Sequence, residues 1–440
     1  MTCPYGHGFG SGKPPSRRGF LGAAVGLLAA AGTMAAAPAP APVGIPARNN
    51  VEPFFGPHQV GIASPQQSHS YFATFDLIAK QRMEIVAVLQ AWTEAAARMS
   101  TGQTAGKLGE GSSKVAPDGG AALGLIPARL TITFGFGPGL FVKDGKDRYG
   151  LAAQRPAQLV DLPKFHGDQL DPARSGGDIS VQACSDDPQI AFHAVRELAR
   201  LAYGVAQLRW AQTGFIANTP PGETGRNLMG FKDGTNNPPH PSQNRPATPD
   251  LPRGFDDVVW AGDEGPAWMQ GGSYLVARRI RISLEHWDRM DVDFQEEVVG
   301  RHKYSGAPIG KTDEFDMLGL NREDKDGNLV IAETSHVRLG SALATDGAQI
   351  FRRAYSYNDG ASFMAQRWPP WRQGVMYDSG LFFLCYQRDP RAGFIKIFET
   401  MAKMDALNQF TTHNGSAVFA CPGGVNEGGY IGQRLFETTS

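Results

Sequence analysis

Apolar residues recur along this chain at two spacings, and the spacing changes where one element gives way to the next. Ser70 to Asp76 reads as a short strand, as does Gln59 to Ser64, with Ser68 and His69 in the loop between them. From Leu77 to Met99 the apolar positions become helical, through Ile78, Met83, Val86, Leu89, Trp92 and Ala96. Residues 100 to 122, rich in Gly, Ser and Lys, predict a loop. Leu130 to Phe136 predicts a strand running into Gly135-Phe136-Gly137-Pro138-Gly139, Ile179 to Ala183 another, and Pro188 to Leu201 a helix opened by Asp186 and Asp187. A second stretch repeats the order, with strands over Gly272 to Ser283 and Gly380 to Gln387. Helices are predicted over Leu284 to Val299 and over Pro390 to Leu407, the latter with Phe394, Ile397 and Met401 on its inner face. Two such halves, at 58–222 and 223–440, predict an α+β fold with helices on one face of each sheet. No Gly-x-Gly-x-x-Gly and no Walker loop joins a strand to a helix, so nucleotide binding has no support.

Composition narrows the picture. Lys and Arg number 42 and Asp and Glu 43, a net charge of −1, which argues against an electrostatic grip on nucleic acid or on an anionic membrane. Hydrophobic residues at 41% and charged residues at 19% are those of a globular protein. Four cysteines exclude a disulfide scaffold, and the spacing offers neither Cys-x-x-Cys-His for covalent haem nor a paired Cys-x-x-Cys for zinc.

The N-terminus predicts an address. Arg17-Arg18 is followed by an uncharged Ala, Gly and Leu run to Ala37, then by a Pro/Ala-rich leader over 38–57. Residues 1–37 therefore resemble a twin-arginine export signal, with the mature protein periplasmic or secreted. The competing reading, a membrane-anchoring helix, has the needed length of about 18 residues, but Gly and Ala contribute little to insertion. Export of an already folded chain suits a protein that takes up a cofactor first. Cys184, Cys385 and Cys421 would remain, an odd number that leaves at least one thiol unpaired.

Three segments could carry chemistry. Gly230-Phe-Lys-Asp233-Gly-Thr-Asn-Asn-Pro238 is either an Asx-type turn or a glycine-flanked loop presenting Asp233 to a ligand as an acid or base. His336, between Ser335 and Val337, is either structural or a ligand. Arg352-Arg353 in an apolar, aromatic setting implies a buried guanidinium that needs an anion, whether a carboxylate or a ligand.

Taken in order with Asp178-Ile-Ser-Val-Gln-Ala183, Gly300-Arg-His-Lys303 and Phe383-Leu-Cys-Tyr-Gln-Arg-Asp389, these segments resemble the dye-decolorizing peroxidases. Within them the chain is most similar to the exported type related to the periplasmic haem peroxidase of ferrous-iron uptake operons. The resemblance implies two ferredoxin-like domains with antiparallel sheets, of the dimeric α/β-barrel kind, and one non-covalent haem b held mainly by the second. It makes His336 the axial iron ligand, Asp405 the carboxylate behind it, and Asp233 with Arg352 the distal pair, Arg353 being the alternative. Gly234, Thr235 and Asn236 match the loop on the haem edge, and either Leu381 with Phe383 or Phe382 with Leu384 would cover the distal face. The chain departs from the iron-uptake type after His336-Val-Arg338-Leu, where Gly340-Ser341-Ala-Leu replaces an Asn-Pro-Arg whose arginine approaches a propionate. Arg338 or Arg301 would then have to make the propionate contact, with Ser341 also expected among the cofactor-binding residues.

The resemblance implies hydrogen peroxide and a small-molecule reductant as partners, with a homodimer and contact with iron-uptake components as further expectations. Bulky dyes would give up electrons at surface aromatics, for which Tyr357, Trp268, Trp287, Trp368 and Trp371 are candidates. The competing function is haem handling or ferrous-iron oxidation in iron uptake. A haem-free hydrolase using Asp233 and His336 lacks a Gly-x-Ser-x-Gly motif. Because an aspartate has a reference pKa of about 3.9, it stays ionised where a histidine would be protonated, and dye oxidation should have an acidic optimum. A pH-rate profile that instead climbs steadily to about pH 8 would remove Asp233 as the sole base.

Overall fold

A computed structural model describes residues 50–109, 116–217, 219–220, 223–239, 250–366 and 372–437. The expected export signal, Trp368 and Trp371 lie outside the described residues. The described strands are β1 His69–Leu77, β2 Thr131–Phe136, β3 Ile179–Ser185, β4 Ala206–Phe215, β5 Ser273–Ile282, β6 Phe351–Arg352, β7 Tyr355–Gln366, β8 Arg372–Gln387 and β9 Thr411–Cys421. All their pairings are antiparallel. The first half orders its strands β2-β3-β1-β4; in the second, β9-β5-β8 is followed by β7 and β6, which share the far edge of β8.

The two sheets join at two seams, each a single residue pair: Phe136 with Ala420 between β2 and β9, and Phe215 with Ser356 between β4 and β7. The result is one closed antiparallel sheet, which leaves no long edge to aggregate. The α+β expectation is met, and the seams join the sheets of the two halves into one closed sheet within one compact unit.

Closure explains why the strands are apolar on both faces. Phe72, Trp210, Leu275, Ala277, Tyr355, Phe382, Leu384 and Phe419 fill the interior of the closed sheet. Rings from opposite sides meet there, Phe72 lying 5.3 Å from Phe382. Ala73 and Phe75, one position out of phase with Phe72, belong instead to the outer core. They pack there with Leu89 and Trp92 of helix α1 (Arg82–Ser100) and Leu198 of helix α2 (Pro188–Leu201).

Some elements differ from their sequence pattern for local reasons. Helix α1 begins at Arg82 rather than Leu77, because Leu77 still pairs with Ala206 and the N–H groups of Ile78 and Ala79 donate to Val205 O. Glu84 then accepts from the Gln81 and Lys80 N–H groups to open the helix. Its inner face is therefore Ile85, Val88, Leu89, Trp92, Ala95, Ala96 and Met99, and Ile78 and Met83 are exposed. Gln59 to Ser64 forms turns, not a strand; Gln59 instead ties Phe134 to Pro422 through its side-chain amide. The predicted helix 284–299 divides into a turn at Leu284–Trp287 and helix α3 (Val292–Val299), and the one at 390–407 narrows to helix α4 (Lys396–Met404) behind a π-turn at Arg391–Ile395. Among the described residues no helix is long and apolar enough to cross a membrane.

Each seam carries a glycine. A Cβ at Gly135 would stand 2.8 Å from Phe419 Cβ, and one at Gly214 would stand 2.5 Å from Tyr355 Cβ. No rotamer change relieves a Cβ–Cβ clash, so Gly214→Ala should push β4 from β7 and destabilise the protein by about 2–4 kcal/mol, read as a lowered Tm. An unchanged Tm would mean that the seam is not under this constraint.

Candidate functional site

A cavity opens on the outer face of the second half's sheet, and all of its lining residues fall between Asn227 and His413. Ile280 and Ile282 of β5 and Leu381 and Phe383 of β8 form its floor, with Phe394, Ile397 and Met401 across from them. The alternation that turns Phe382 and Leu384 into the interior turns Leu381 and Phe383 outward, which settles the pair left open by the sequence.

His336 stands on a single helical turn, His336–Leu339. Its Nδ1 lies 2.7 Å from Asp405 Oδ2. Helix α4 ends at Asp405, whose backbone becomes extended, so the carboxylate can reach His336 with one oxygen and cap Leu407 N–H with the other. Ala406 N–H donates to Thr334 O and holds the two segments in register. The His336 side chain is surrounded by protein yet 44% accessible, because the surface it exposes is cavity wall. Burial disfavours its cation, but the Asp405 carboxylate outweighs burial and raises the pKa above the ordinary histidine value. In the neutral ring, the bond to Asp405 places the proton on Nδ1 and leaves the Nε2 lone pair, which has no partner among the described residues, free to bind a metal.

Asp233 and Arg352 meet on the same cavity, Arg352 Nη1 donating to Asp233 Oδ1 at 2.8 Å. The Asx turn that the sequence allowed at Asp233 is made by Asn227 instead, whose Oδ1 accepts from the Met229 and Phe231 N–H groups. Gly234 follows with φ +121°, a conformation that L side chains rarely adopt. Arg352 projects from β6 with Phe351 facing the interior, and Arg353 turns inward, where it donates to Ser64 O and Gln67 Oε1.

The other expected residues divide. Gly234, Thr235, Asn236 and Asp405 line the cavity. Arg338 and Ser341 do not: the Arg338 guanidinium donates to the carbonyls of Leu320, Ile331 and Ala332, and Ser341 Oγ to Arg338 O. Arg301 is on the wall, 6% exposed, with Nη1 donating to Gly306 O and Glu314 O. No carboxylate pairs with it among the described residues, and burial pulls its pKa down. Such a cation accepts an anionic ligand group readily. Of the expected surface aromatics, Tyr357, Trp268 and Trp287 are buried in the cores; among the described residues the exposed tyrosines are Tyr203, Tyr304 and Tyr377.

Three further residues carry the geometry. Asn237 clamps Arg352 by both backbone groups, donating to its O at 2.7 Å and accepting from its N–H at 3.0 Å. Glu314 anchors the Asp233 loop, taking Lys232 Nζ at 2.6 Å and Thr235 Oγ1 at 2.8 Å. His413 reaches the wall because β9 skips Asn414 in its pairing with β5, a bulge that moves His413 opposite Ile280. Its Nδ1 accepts from Arg278 Nε, and burial together with that charge pushes its pKa far down, so the ring is neutral with its proton on Nε2. Asn237 was visible in the Asn-Asn-Pro run; Glu314 and His413 had no signal.

With no ligand bound, the raised His336 pKa contributes stability at pH values below the unfolded value of about 6.5 that is lost as pH rises through the folded value. Asp405→Asn should move the imidazole titration, followed by NMR, to lower pH and flatten that loss. An unmoved titration would show that Asp405 is not its cause.

Comparison with known proteins comes to the same place. Residues 59–216 match the family model for the N-terminal part of Dyp-type peroxidases, and residues 224–426 that for the C-terminal part. A dye-decolorizing peroxidase of Thermobifida fusca (strain YX) is 38% identical over 395 residues, 86% of this chain and 84% of that protein. A deferrochelatase of Escherichia coli (strain K12) is 34% identical over 438 residues, 96% of this chain and 97% of that one. The crystal structure of a DyP-type peroxidase from Streptomyces coelicolor superposes with a TM-score of 0.77 at 39% identity, covering 88% of this chain and 98% of that one.

Proposed function

This chain belongs to the Dyp-type peroxidase family, and from that membership we propose the part each cavity residue plays. It is a haem peroxidase that reduces hydrogen peroxide with electrons from dyes, phenols or other one-electron donors. The residues fit the cofactor: an apolar floor, one imidazole with an uncommitted Nε2, and the unpaired Arg301 for a propionate. His336 would hold the iron, and Asp405 would keep the imidazole oriented and electron-rich. Bound there, the haem would supply the electrons for splitting the peroxide O–O bond.

The chain's own residues manage the proton. Asp233 Oδ1 is held by Arg352, whereas Oδ2 has only Asn227 Nδ2 at 3.5 Å, too far to restrain it. Oδ2 therefore takes the proton from one peroxide oxygen and returns it to the other, which leaves as water. The Arg352 guanidinium balances the negative charge that grows on the departing oxygen. Asn237 keeps Arg352 in place, and Leu381 and Phe383 keep bulk water from the exchange.

The carrying observation is that one cavity presents both pairs, His336 with Asp405 and Asp233 with Arg352. A second reading, haem handling in iron uptake, is supported by the similarity to a deferrochelatase along nearly the whole chain. We further infer export by the twin-arginine route, supported by Arg17-Arg18 and the Ala/Gly-rich run after it. The equal strand order in each half supports duplicated ferredoxin-like units at 58–222 and 223–440.

Spectra and stopped-flow kinetics test the assignment. Asp233→Asn should keep the haem band while kcat/KM for hydrogen peroxide falls about 100-fold or more, and His336→Ala should weaken or lose the band. Full activity in Asp233→Asn would overturn its role, and iron-free porphyrin appearing in the parent would favour the second reading.

A further inference from the structure

Helix α2 carries His193 and Glu197 one turn apart, on the face that meets the loop bearing Asp118. All three are buried, at 3%, 0% and 5% exposure, and one donor atom from each lies within 4.8 Å of the others. None of them lines the cavity described above.

Hydrogen bonding accounts for this cluster only in part. His193 Nε2 stands 3.3 Å from Asp118 Oδ2, whereas the other two imidazole–carboxylate contacts, His336 with Asp405 and His302 with Glu296, are both 2.7 Å. His193 Nδ1, fully buried, has no partner. Glu197 is paired with Arg200, but no Lys or Arg among the described residues lies within ion-pair distance of Asp118, so apart from two backbone N–H groups its charge has only the imidazole beside it. A buried carboxylate in that position calls for a cation.

The spacing suits one between the donors. Metal–ligand bonds of about 2.1 Å at tetrahedral angles set neighbouring ligand atoms about 3.4 Å apart, close to the 3.3 Å between His193 Nε2 and Asp118 Oδ2. The carboxylates are also oriented from behind, as ligands require. Asp118 accepts from the Ala105 N–H with Oδ2 at 2.7 Å and from the Gly120 N–H with Oδ1 at 2.6 Å, and Glu197 Oε1 accepts from the Gly119 N–H at 3.0 Å. A Cβ at Gly119 would come within 2.6 Å of that oxygen, so glycine is what lets the loop close on the helix.

We propose that Asp118, His193 and Glu197 bind a divalent cation of the zinc class, which fastens the loop at 116–120 to helix α2. Three protein donors leave a fourth position for water. The site is separate from the peroxidase cavity and acts on stability rather than turnover.

The test uses haem-loaded full-length protein, so that His336 is engaged, stripped of loose metal by chelator and titrated with zinc chloride by calorimetry. One tight site per chain, a raised Tm, and an anomalous diffraction peak at the zinc edge between the three side chains are expected. His193→Asn and Glu197→Gln should each weaken that site at least about tenfold. Glu197→Gln keeps the volume and the bond from Gly119, so it serves if the histidine variant does not fold. Zinc binding left unchanged by the variants, a peak elsewhere, or no tight site in the parent would each overturn the proposal.

Discussion

Closure of the sheet is the constraint from which the site follows. Once β2 meets β9 and β4 meets β7, every strand has an inside and an outside, and the pleat assigns successive residues to them. The interior is filled by side chains, with Phe72 against both Phe382 and Phe419, so it holds no ligand space. A cofactor can then only lie outside, between the sheet and the segments that cover it. In the first half helices α1 and α2 cover that face with Trp92, Leu89 and Leu198. In the second half the covering segments are shorter and broken, at Trp287, at the π-turn before α4 and at Asp405, and the cavity occupies the room they leave.

The two acid groups of the cavity are held in opposite ways, and that difference is what allows different work. Asp405 has both oxygens engaged, one by His336 Nδ1 and one by Leu407 N–H, from a position 6% exposed. Its carboxylate is thereby held in one position. Asp233 has one oxygen tied to a guanidinium and the other nearly unrestrained, in a side chain 25% exposed, so it can gain and lose a proton without breaking its anchor. The anchor is itself anchored, since Asn237 belongs to the same loop as Asp233 and grips the backbone of Arg352. Loop and strand thus form one rigid piece, which a reaction sensitive to small displacements requires.

The sequence made the long regular elements legible because their burial is periodic. Helix α2 has the predicted bounds, with Asp187 capping it as its position suggested. Asp233, His336, Arg352 and Asp405 came from the resemblance, and the structure brings them to one cavity. Strands β4, β7 and β9 were not visible: they alternate less cleanly, and their partners are remote in the chain. Arg338 and Ser341 were misplaced for a related reason. On the four-residue turn, His336 and Val337 line the cavity, whereas Arg338 points away from it and meets carbonyls, and Ser341, beyond the turn, bonds back to Arg338 O. His413 could not have been found at all, because its place depends on one skipped residue in a strand pairing.

Arg352 and Arg353 show how little of this rests on residue type. Both carry guanidinium groups in the same apolar setting, on consecutive residues. Arg352, opposite Cys385 on β8, projects from the outer face into the cavity and keeps a carboxylate beside a space that a ligand can enter. Arg353 faces the sealed interior, where Ser64 O and Gln67 Oε1 satisfy part of it and its Nε has no partner. Through these bonds it ties the segment just before β1 to the break between β6 and β7. That break is what ends β6 at Arg352, so the inward arginine helps to fix where the outward one stands.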